Sequence, residues 1–295
     1  IAIGNFDGLH KGHQKVFKET IKIAKKNKTK FGVFTFTPLP VMYFNKKIKN
    51  YRLTSESEKL KLFQKNKVDF VIRVKFNKKF SKISAEEFIK KILYKRISPK
   101  LLAVSNNFKF GKNRAGNVNL LKKFSNKYNY QLLNINPLQF SGKIASSTKI
   151  RKLLKSGQVN LANKLLSRTW FIDGKVKKGK KLGRKLGYRT CNIDIKNYVQ
   201  PKAGIYAVQV SINNNKRRYS AVAYLGNRPT FGGKKIFLEV YIFGIKKNLY
   251  KKKLRVYFLK FLRRDKKFNN STGLIRQMNK DVISAKKGLK TNLII

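Results

Sequence analysis

Apolar positions along the chain follow two different rhythms. Up to about residue 135, short apolar runs alternate with amphipathic stretches. The runs at 1–3, 31–36, 68–74, 101–104 and 130–135 have the length and composition of buried strands. Between them, residues 13–26 place Val16, Phe17, Ile21 and Ala24 at helical spacing. Ser55 with Glu58, and Ser84 with Glu87, have the spacing of capping boxes ahead of further apolar periods, and a helix over about 120–128 leads into the last run. Strand and helix in alternation predict a parallel sheet with right-handed crossovers, with a binding site at the carboxyl ends of its strands.

Beyond about residue 165 the rhythm shortens. β-like runs at 170–176, 205–212, 219–225, 236–243 and 254–262 are separated by turns rich in Gly, Asn and Lys. Residues 272–289 then set Leu274, Ile275, Met278, Val282, Ile283 and Ala285 on one helical face. This half reads as a small antiparallel barrel or sandwich with a C-terminal helix. A length of 295 residues suits two domains, and the change of rhythm divides them into 1–165 and 166–295.

Charge changes this picture little. The chain holds 71 Lys and Arg against 12 Asp and Glu, a formal net charge of +59. The lysines are spread from end to end among many Asn, Ile, Phe and Tyr, as in a genome biased toward A and T. The longest basic stretches, such as 175–181, are broken by glycine, so nucleic acid is set aside as the partner. A basic nucleic-acid-associated protein with a vestigial nucleotide site is the alternative class. No apolar stretch is long enough to span a membrane, and no charged-then-apolar leader is present. The strand-like opening leads us to expect a few residues upstream of Ile1. A single cysteine, Cys191, excludes an internal disulfide and suits a reducing cytoplasm. With so few acids, each one inside an apolar run is conspicuous.

Both histidines lie in one turn, Gly4-Asn5-Phe6-Asp7-Gly8-Leu9-His10-Lys11-Gly12-His13, between the first strand and the first helix. Glycines there allow a ligand close to the backbone, and the helix start offers N–H groups and the positive end of its dipole to a phosphate. Two imidazoles can donate hydrogen bonds to phosphate oxygens. There is no third histidine and Cys191 is far away in sequence, which argues against a zinc site of the usual ligand set. A second segment, Ser146-Ser147-Thr148-Lys149-Ile150-Arg151, opens a helix with three hydroxyls and an arginine, another phosphate-binding composition.

Together these two segments resemble the bacterial bifunctional riboflavin kinase/FAD synthetase family, whose N-terminal domain is a nucleotidylyltransferase. Thr35-Phe36-Thr37-Pro38 and Asn107-Phe108-Lys109-Phe110-Gly111 stand at two further family motifs. The resemblance implies adenylyl transfer from ATP to FMN, giving FAD and pyrophosphate. It assigns His10, His13 and Arg151 to catalysis, Gly4, Phe6, Gly12, Ser147 and Thr148 to ATP, and Asn107 to the flavin. No general base is needed, since the FMN phosphate is already an anionic nucleophile.

In the second half, Gly174-x-Val176-x-x-Gly179-x-x-x-Gly183 and Tyr188-Arg189-Thr190-Cys191-Asn192 are similar to the riboflavin kinase signature, with Arg189 and Cys191 where the family has Pro and Ala. The resemblance gives Gly179, Thr190 and Asn192 to ATP, with Thr190 holding Mg2+. Leu225-Gly226-Asn227-Arg228-Pro229-Thr230 matches the flavin-side loop, with Arg228 and Thr230 on the flavin. Glu239, the only glutamate after residue 87, matches the family's catalytic base. The expected fold is an α/β nucleotidylyltransferase domain with a Rossmann-like parallel sheet, followed by a small antiparallel β-barrel domain with a C-terminal helix. The expected ligands are riboflavin, FMN, FAD and ATP with Mg2+, with no membrane association. Retention of only one of the two activities is the sibling alternative.

Overall fold

The structure is a computed structural model. It describes the chain except residues 49, 141, 180, 181, 196, 214, 231, 232, 246 and 292–295, and the side chains at 143, 182, 185, 227–230, 233–235, 290 and 291. It forms two compact units, residues 1–49 with 56–147, and residues 50–55 with 148–295.

The first unit follows the strand–helix rhythm. In chain order it contains β1 (Ala2–Ile3), α1 (Lys11–Lys26), β2 (Gly32–Thr37), α2 (Pro40–Phe44), α3 (Glu56–Lys65), β3 (Phe70–Lys75), α4 (Lys78–Ser81) and α5 (Ala85–Glu87), which runs on as a π-helix over Phe88–Ile97. Then come β4 (Leu101–Ser105), α6 (Val118–Ser125), β5 (Gln131–Ile135) and a hairpin of β6 (Gln139–Phe140) with β7 (Lys143–Ile144). Among the described residues the parallel sheet has the order β3-β2-β1-β4-β5, so the chain reverses direction across the sheet between β1 and β4. That switch point is where α/β sheets open a crevice for ligands.

Alternation across the sheet builds two cores. Ala2, Val33 and Ala103 pack on Val16 and Phe17 of α1 and Leu62 and Phe63 of α3. Ile3, Phe34, Leu102 and Val104 pack on Phe88, Ile89, Leu93 and Leu121. Helix starts are capped as the sequence suggests at Ser84. Its hydroxyl accepts from the Glu87 amide at 3.1 Å, and the Glu87 carboxylate accepts from the Ser84 amide at 3.2 Å.

The second unit holds α7 (Ser147–Lys155) from its second residue onward, then α8 (Val159–Leu166), β8 (Phe171–Lys177), α9 (Leu182–Lys185), β9 (Thr190–Ile193), β10 (Gly204–Ile212), β11 (Tyr219–Thr230), β12 (Gly233–Ile242), β13 (Lys253–Arg263) and α10 (Ser271–Thr291). Its strands close into a barrel in the order β10-β11-β12-β9-β8-β13, with β13 pairing back onto β10. Alternate residues fill the interior: Val208, Val210, Leu238, Val240, Leu254, Val256 and Phe258 are fully buried. The barrel form is therefore the one adopted, with β9 as a strand that the apolar pattern does not reveal.

Two bidentate ion pairs fasten this unit. Arg255 and Asp173 face each other across β13 and β8, with Nε–Oδ1 at 2.8 Å and Nη2–Oδ2 at 3.0 Å, and the guanidinium lies 3.9 Å from the Phe171 ring centre. Arg263 of β13 grips Asp281 of α10 at 2.7 and 2.6 Å. The division of the fold at 147/148 does not coincide with the change of sequence rhythm near 165. Helices α7 and α8 join the barrel unit through the Lys202 amide on the Leu154 carbonyl (3.0 Å) and through Asn163, which bonds the Phe258 carbonyl (2.9 Å) and the Trp170 amide (2.7 Å). Segment 50–55 joins it because the buried Trp170 indole donates to the Leu53 carbonyl at 2.8 Å. We expect Asp281→Ala to lower the stability of this unit by about 2 kcal/mol in urea unfolding, with faster amide exchange concentrated in α10.

Candidate active site

The turn after β1 is built from backbone that most residues avoid. Phe6 has φ +48°, Gly8 +85° and Leu9 +35°. Hydrogen bonds fix it at successive points. The Gly4 backbone amide donates to the Phe34 carbonyl (3.1 Å), the Thr35 hydroxyl to the Asn5 carbonyl (3.3 Å), the Ser147 hydroxyl to the Asp7 carbonyl (2.8 Å) and the Gln14 side-chain Nε2 to the Leu9 carbonyl (2.9 Å). The Phe6 ring enters the core edge-on to Phe17 at 5.0 Å and to His13 at 5.2 Å. A Cβ at Gly12 would lie 3.1 Å from the Ala145 carbonyl oxygen and 3.1 Å from the His10 ring, so glycine permits this approach.

His10 and His13 are stacked, with ring centres 3.7 Å apart and planes inclined by 23°. His10 is the N-cap of α1, and its side chain makes no capping bond to the helix. Both imidazoles line a cavity of about 800 Å³ at the carboxyl ends of the strands. Of the residues expected here from sequence, Gly4, Phe6, His10, Gly12, His13, Asn107 and Ser147 line it together. Asn107 accepts from the Ser105 hydroxyl at 2.8 Å. Thr148 and Arg151 are not among the lining residues. Thr148 is exposed, while Arg151 is buried, its Nε donating to the Tyr51 carbonyl at 2.8 Å and its guanidinium 3.7 Å above the Tyr51 ring.

Sequence reasoning gave no role to the other wall of this cavity, although three of its residues lie within the motifs at 35–38 and 107–111. Phe36, Phe76, Phe80, Phe88, Phe108 and Phe110 form it, in contacts such as Phe88–Phe110 at 5.3 Å and the stacked Phe108–Phe110 pair at 5.5 Å. Phe44, 68% exposed, stands at its edge beside Phe76 at 5.6 Å. One side of the cavity is thus polar and suited to phosphate. The other is aromatic and suited to a flat ring system.

The barrel unit carries a second cavity, of about 290 Å³. Gly179, Arg184, Arg189, Thr190, Cys191 and Asn192 line one side, and Ile242, Ile245, Leu249 and Tyr250 contribute apolar surface. Thr190 pairs with Tyr241 and Asn192 with Glu239 across β9 and β12, so these four side chains share a face, while Cys191 and Val240 share the opposite one. Gly179 and Gly183 are close-approach positions. A Cβ at 179 would lie 2.3 Å from the Asn192 side-chain nitrogen, and one at 183 would lie 2.6 Å from the Tyr188 carbonyl oxygen and 3.1 Å from the Thr190 hydroxyl.

Glu239 is half-buried and is not among the lining residues. It lies between Asn192 on β9 and Tyr224 on β11, whose hydroxyl donates to Asp265 at 2.6 Å. Tyr188, after the glycine-rich segment, packs edge-on to Tyr241 at 5.1 Å and bonds Asn279 of α10. Arg228 and Thr230 fall in β11, opposite Lys235 and Gly233, and their side chains lie outside the described residues. Among the described residues no cluster of three His, Cys, Asp or Glu side chains could hold a metal by itself. The oxygen donors of Thr190 and Asn192 fit a hard cation that takes most of its ligands from phosphate and water.

Comparison with known proteins gives a consistent result. Residues 1–149 match the FAD synthetase family and residues 166–289 the riboflavin kinase family. A bifunctional riboflavin kinase/FMN adenylyltransferase from Buchnera aphidicola subsp. Schizaphis graminum is 40% identical over 290 residues, covering 97% of this chain and 93% of its own. The protein of the same name from Escherichia coli K12 is 32% identical over 287 residues, covering 97% and 91%. A crystal structure of a macrolide-efflux protein from Streptococcus pneumoniae superposes with a TM-score of 0.85 at 27% identity, covering 97% and 93%. Among the described residues of this chain, no helix is long and apolar enough to cross a membrane.

Burial pushes the Cys191 thiol up to about 11. Only the thiolate is nucleophilic, so we expect alkylation by iodoacetamide to be slow at neutral pH and to rise as the pH approaches that value. In urea, where the thiol regains its ordinary pKa of about 8.5, alkylation becomes fast. Rapid labelling of the native protein at pH 7 would contradict this placement.

Proposed function

The chain belongs to the family of bifunctional riboflavin kinases/FMN adenylyltransferases, and from that premise we propose how its own residues divide the two reactions. It is an enzyme that phosphorylates riboflavin with ATP to give FMN, and then transfers an adenylyl group from ATP to FMN, giving FAD and pyrophosphate. FAD synthesis belongs to the N-terminal part and riboflavin phosphorylation to the C-terminal part. The observation that carries the assignment of roles is the stacked imidazole pair facing an aromatic wall across one cavity.

In adenylyl transfer, an oxygen of the FMN phosphate attacks the α-phosphorus of ATP, and the bond from that phosphorus to pyrophosphate breaks. The nucleophile carries its charge already, so the protein supplies position and charge stabilisation. His10 and His13 donate hydrogen bonds to the phosphate oxygens, and the first-turn amides of α1 add theirs. Gly4, Phe6, Gly12 and Ser147 shape the nucleotide side, and Asn107 with the phenylalanine wall receives the flavin ring. Thr148 and Arg151 are assigned to the phosphates on family resemblance alone.

In the kinase reaction, the terminal ribityl hydroxyl of riboflavin attacks the γ-phosphorus of ATP and ADP departs. Glu239 takes the hydroxyl proton, while Gly179, Thr190 and Asn192 hold the ATP phosphates, and Arg228 and Thr230 serve the flavin side. Thr190 would hold Mg2+, which would supply neutralisation of phosphate charge when bound. Dependence on ATP, together with a single thiol, supports a cytoplasmic location.

Incubating the chain with riboflavin, ATP and Mg2+ and resolving the flavins should give both FMN and FAD. FMN alone would sink the adenylyltransferase roles, and FAD made only from added FMN would sink the kinase roles. His10→Ala and His13→Ala should each lower FAD formation by about 100-fold or more while sparing FMN formation, and Glu239→Gln should do the reverse. Gly179→Ala, whose new methyl must displace Asn192, should cut riboflavin phosphorylation and leave adenylation of added FMN intact.

A further inference from the structure

Among the described residues, Lys59 on α3 is the one lysine buried from solvent, at 2% exposure, in a chain otherwise covered with lysine. Removing an ammonium from water costs several kcal/mol unless its donors find partners, so its placement needs a reason. Its Nζ lies 3.4 Å from the Glu56 carboxylate and 3.4 Å from the Thr35 hydroxyl. Thr35, fully buried in β2, in turn donates to the Asn5 carbonyl at 3.3 Å. Glu56 also accepts from the Thr37 hydroxyl at 2.9 Å, fixing the carboxylate to the same strand.

This relay ends on the strained part of the histidine turn. The Asn5 carbonyl belongs to the peptide unit joining Asn5 to Phe6, so its orientation sets the φ of Phe6, which is +48°. A non-glycine residue there costs about 1 kcal/mol or more and stays only where its surroundings fix it. The Phe6 ring carries that orientation to His13, 5.2 Å away, and His13 stacks on His10. A hydroxyl that accepts from a cation is also a stronger donor to the carbonyl beyond it.

We propose that Lys59 is a positioning residue for adenylyl transfer: acting through Thr35, its ammonium holds the Asn5–Phe6 peptide and thereby the presentation of His10 and His13. The proposal rests on the adenylyl-transfer reading of the histidine cavity. The test compares the full chain with Lys59→Met, Thr35→Val, Thr35→Ser and the Lys59→Met/Thr35→Val double variant. FAD formation from FMN and ATP is measured, with riboflavin phosphorylation in the same samples as an internal reference.

Lys59→Met and Thr35→Val are expected to lower kcat for FAD formation about tenfold or more, with KM for FMN and ATP within about twofold. Riboflavin phosphorylation stays at the wild-type rate, Thr35→Ser keeps the activity, and the double variant is no worse than the poorer single one, because both break the same relay. Unchanged kcat in Thr35→Val, losses that multiply in the double variant, or a rise in KM alone would overturn the proposal. If Lys59→Met loses both activities by failing to fold, the Thr35 pair decides. A kcat loss in Val that Ser does not show supports the relay, and equal behaviour of the two overturns it. If the wild-type chain forms FMN but cannot adenylate it, the reading of the cavity itself fails and the role of Lys59 falls with it.

Discussion

The left-handed backbone at Phe6 and Leu9 is the constraint around which the first unit is arranged. Strand β1 is only Ala2–Ile3, yet it sits at the centre of the sheet, so the chain must leave its carboxyl end at once and turn into α1. Residues 4–10 make this turn with the Phe6 ring driven into the core and strain in the backbone on either side of Asp7 and Gly8. Hydrogen bonds from β2, α1 and Ser147 hold that turn. His10 and His13 are therefore placed by core packing, which is why a cavity with aromatic walls can carry polar chemistry at a fixed point.

Scarcity of acid imposes a different discipline on the barrel unit. With 12 carboxylates against 71 Lys and Arg, most of the cations have no carboxylate to pair with. Asp173 and Asp281 are spent on bidentate arginine pairs, the first joining neighbouring strands and the second pinning the C-terminal helix. Glu239 is spent on a strand face it shares with Asn192 and Thr190. The same register turns Cys191 away from that face, so replacing the family's alanine with cysteine leaves the oxygen donors in their row.

Contiguous features were legible in the sequence. The histidine turn, the βαβ rhythm and the capping box at Ser84 each lie within a short window, where spacing reports geometry directly. Strand β9 was not legible because its four residues alternate toward a polar face and carry the nucleotide motif instead of an apolar signature. The phenylalanine wall was hidden for another reason. Its members come from one strand (36), two helices (80 and 88) and loops (76, 108 and 110), with no common period. Lys59 was invisible among so many lysines, since burial is a property of the fold. The allegiance of α7 and α8 was also hidden: an amphipathic pattern shows that a helix has a buried face, but not which body covers it.

We propose that the imidazole pair, held by this turn, receives the phosphates in adenylyl transfer. A crystal structure of the full chain with FMN and a non-hydrolysable ATP analogue tests it most directly. The triphosphate should lie over the N-terminus of α1, with both imidazoles about 3 Å from phosphate oxygens and the flavin ring against the phenylalanine wall. A triphosphate bound in this unit away from His10 and His13 would contradict it.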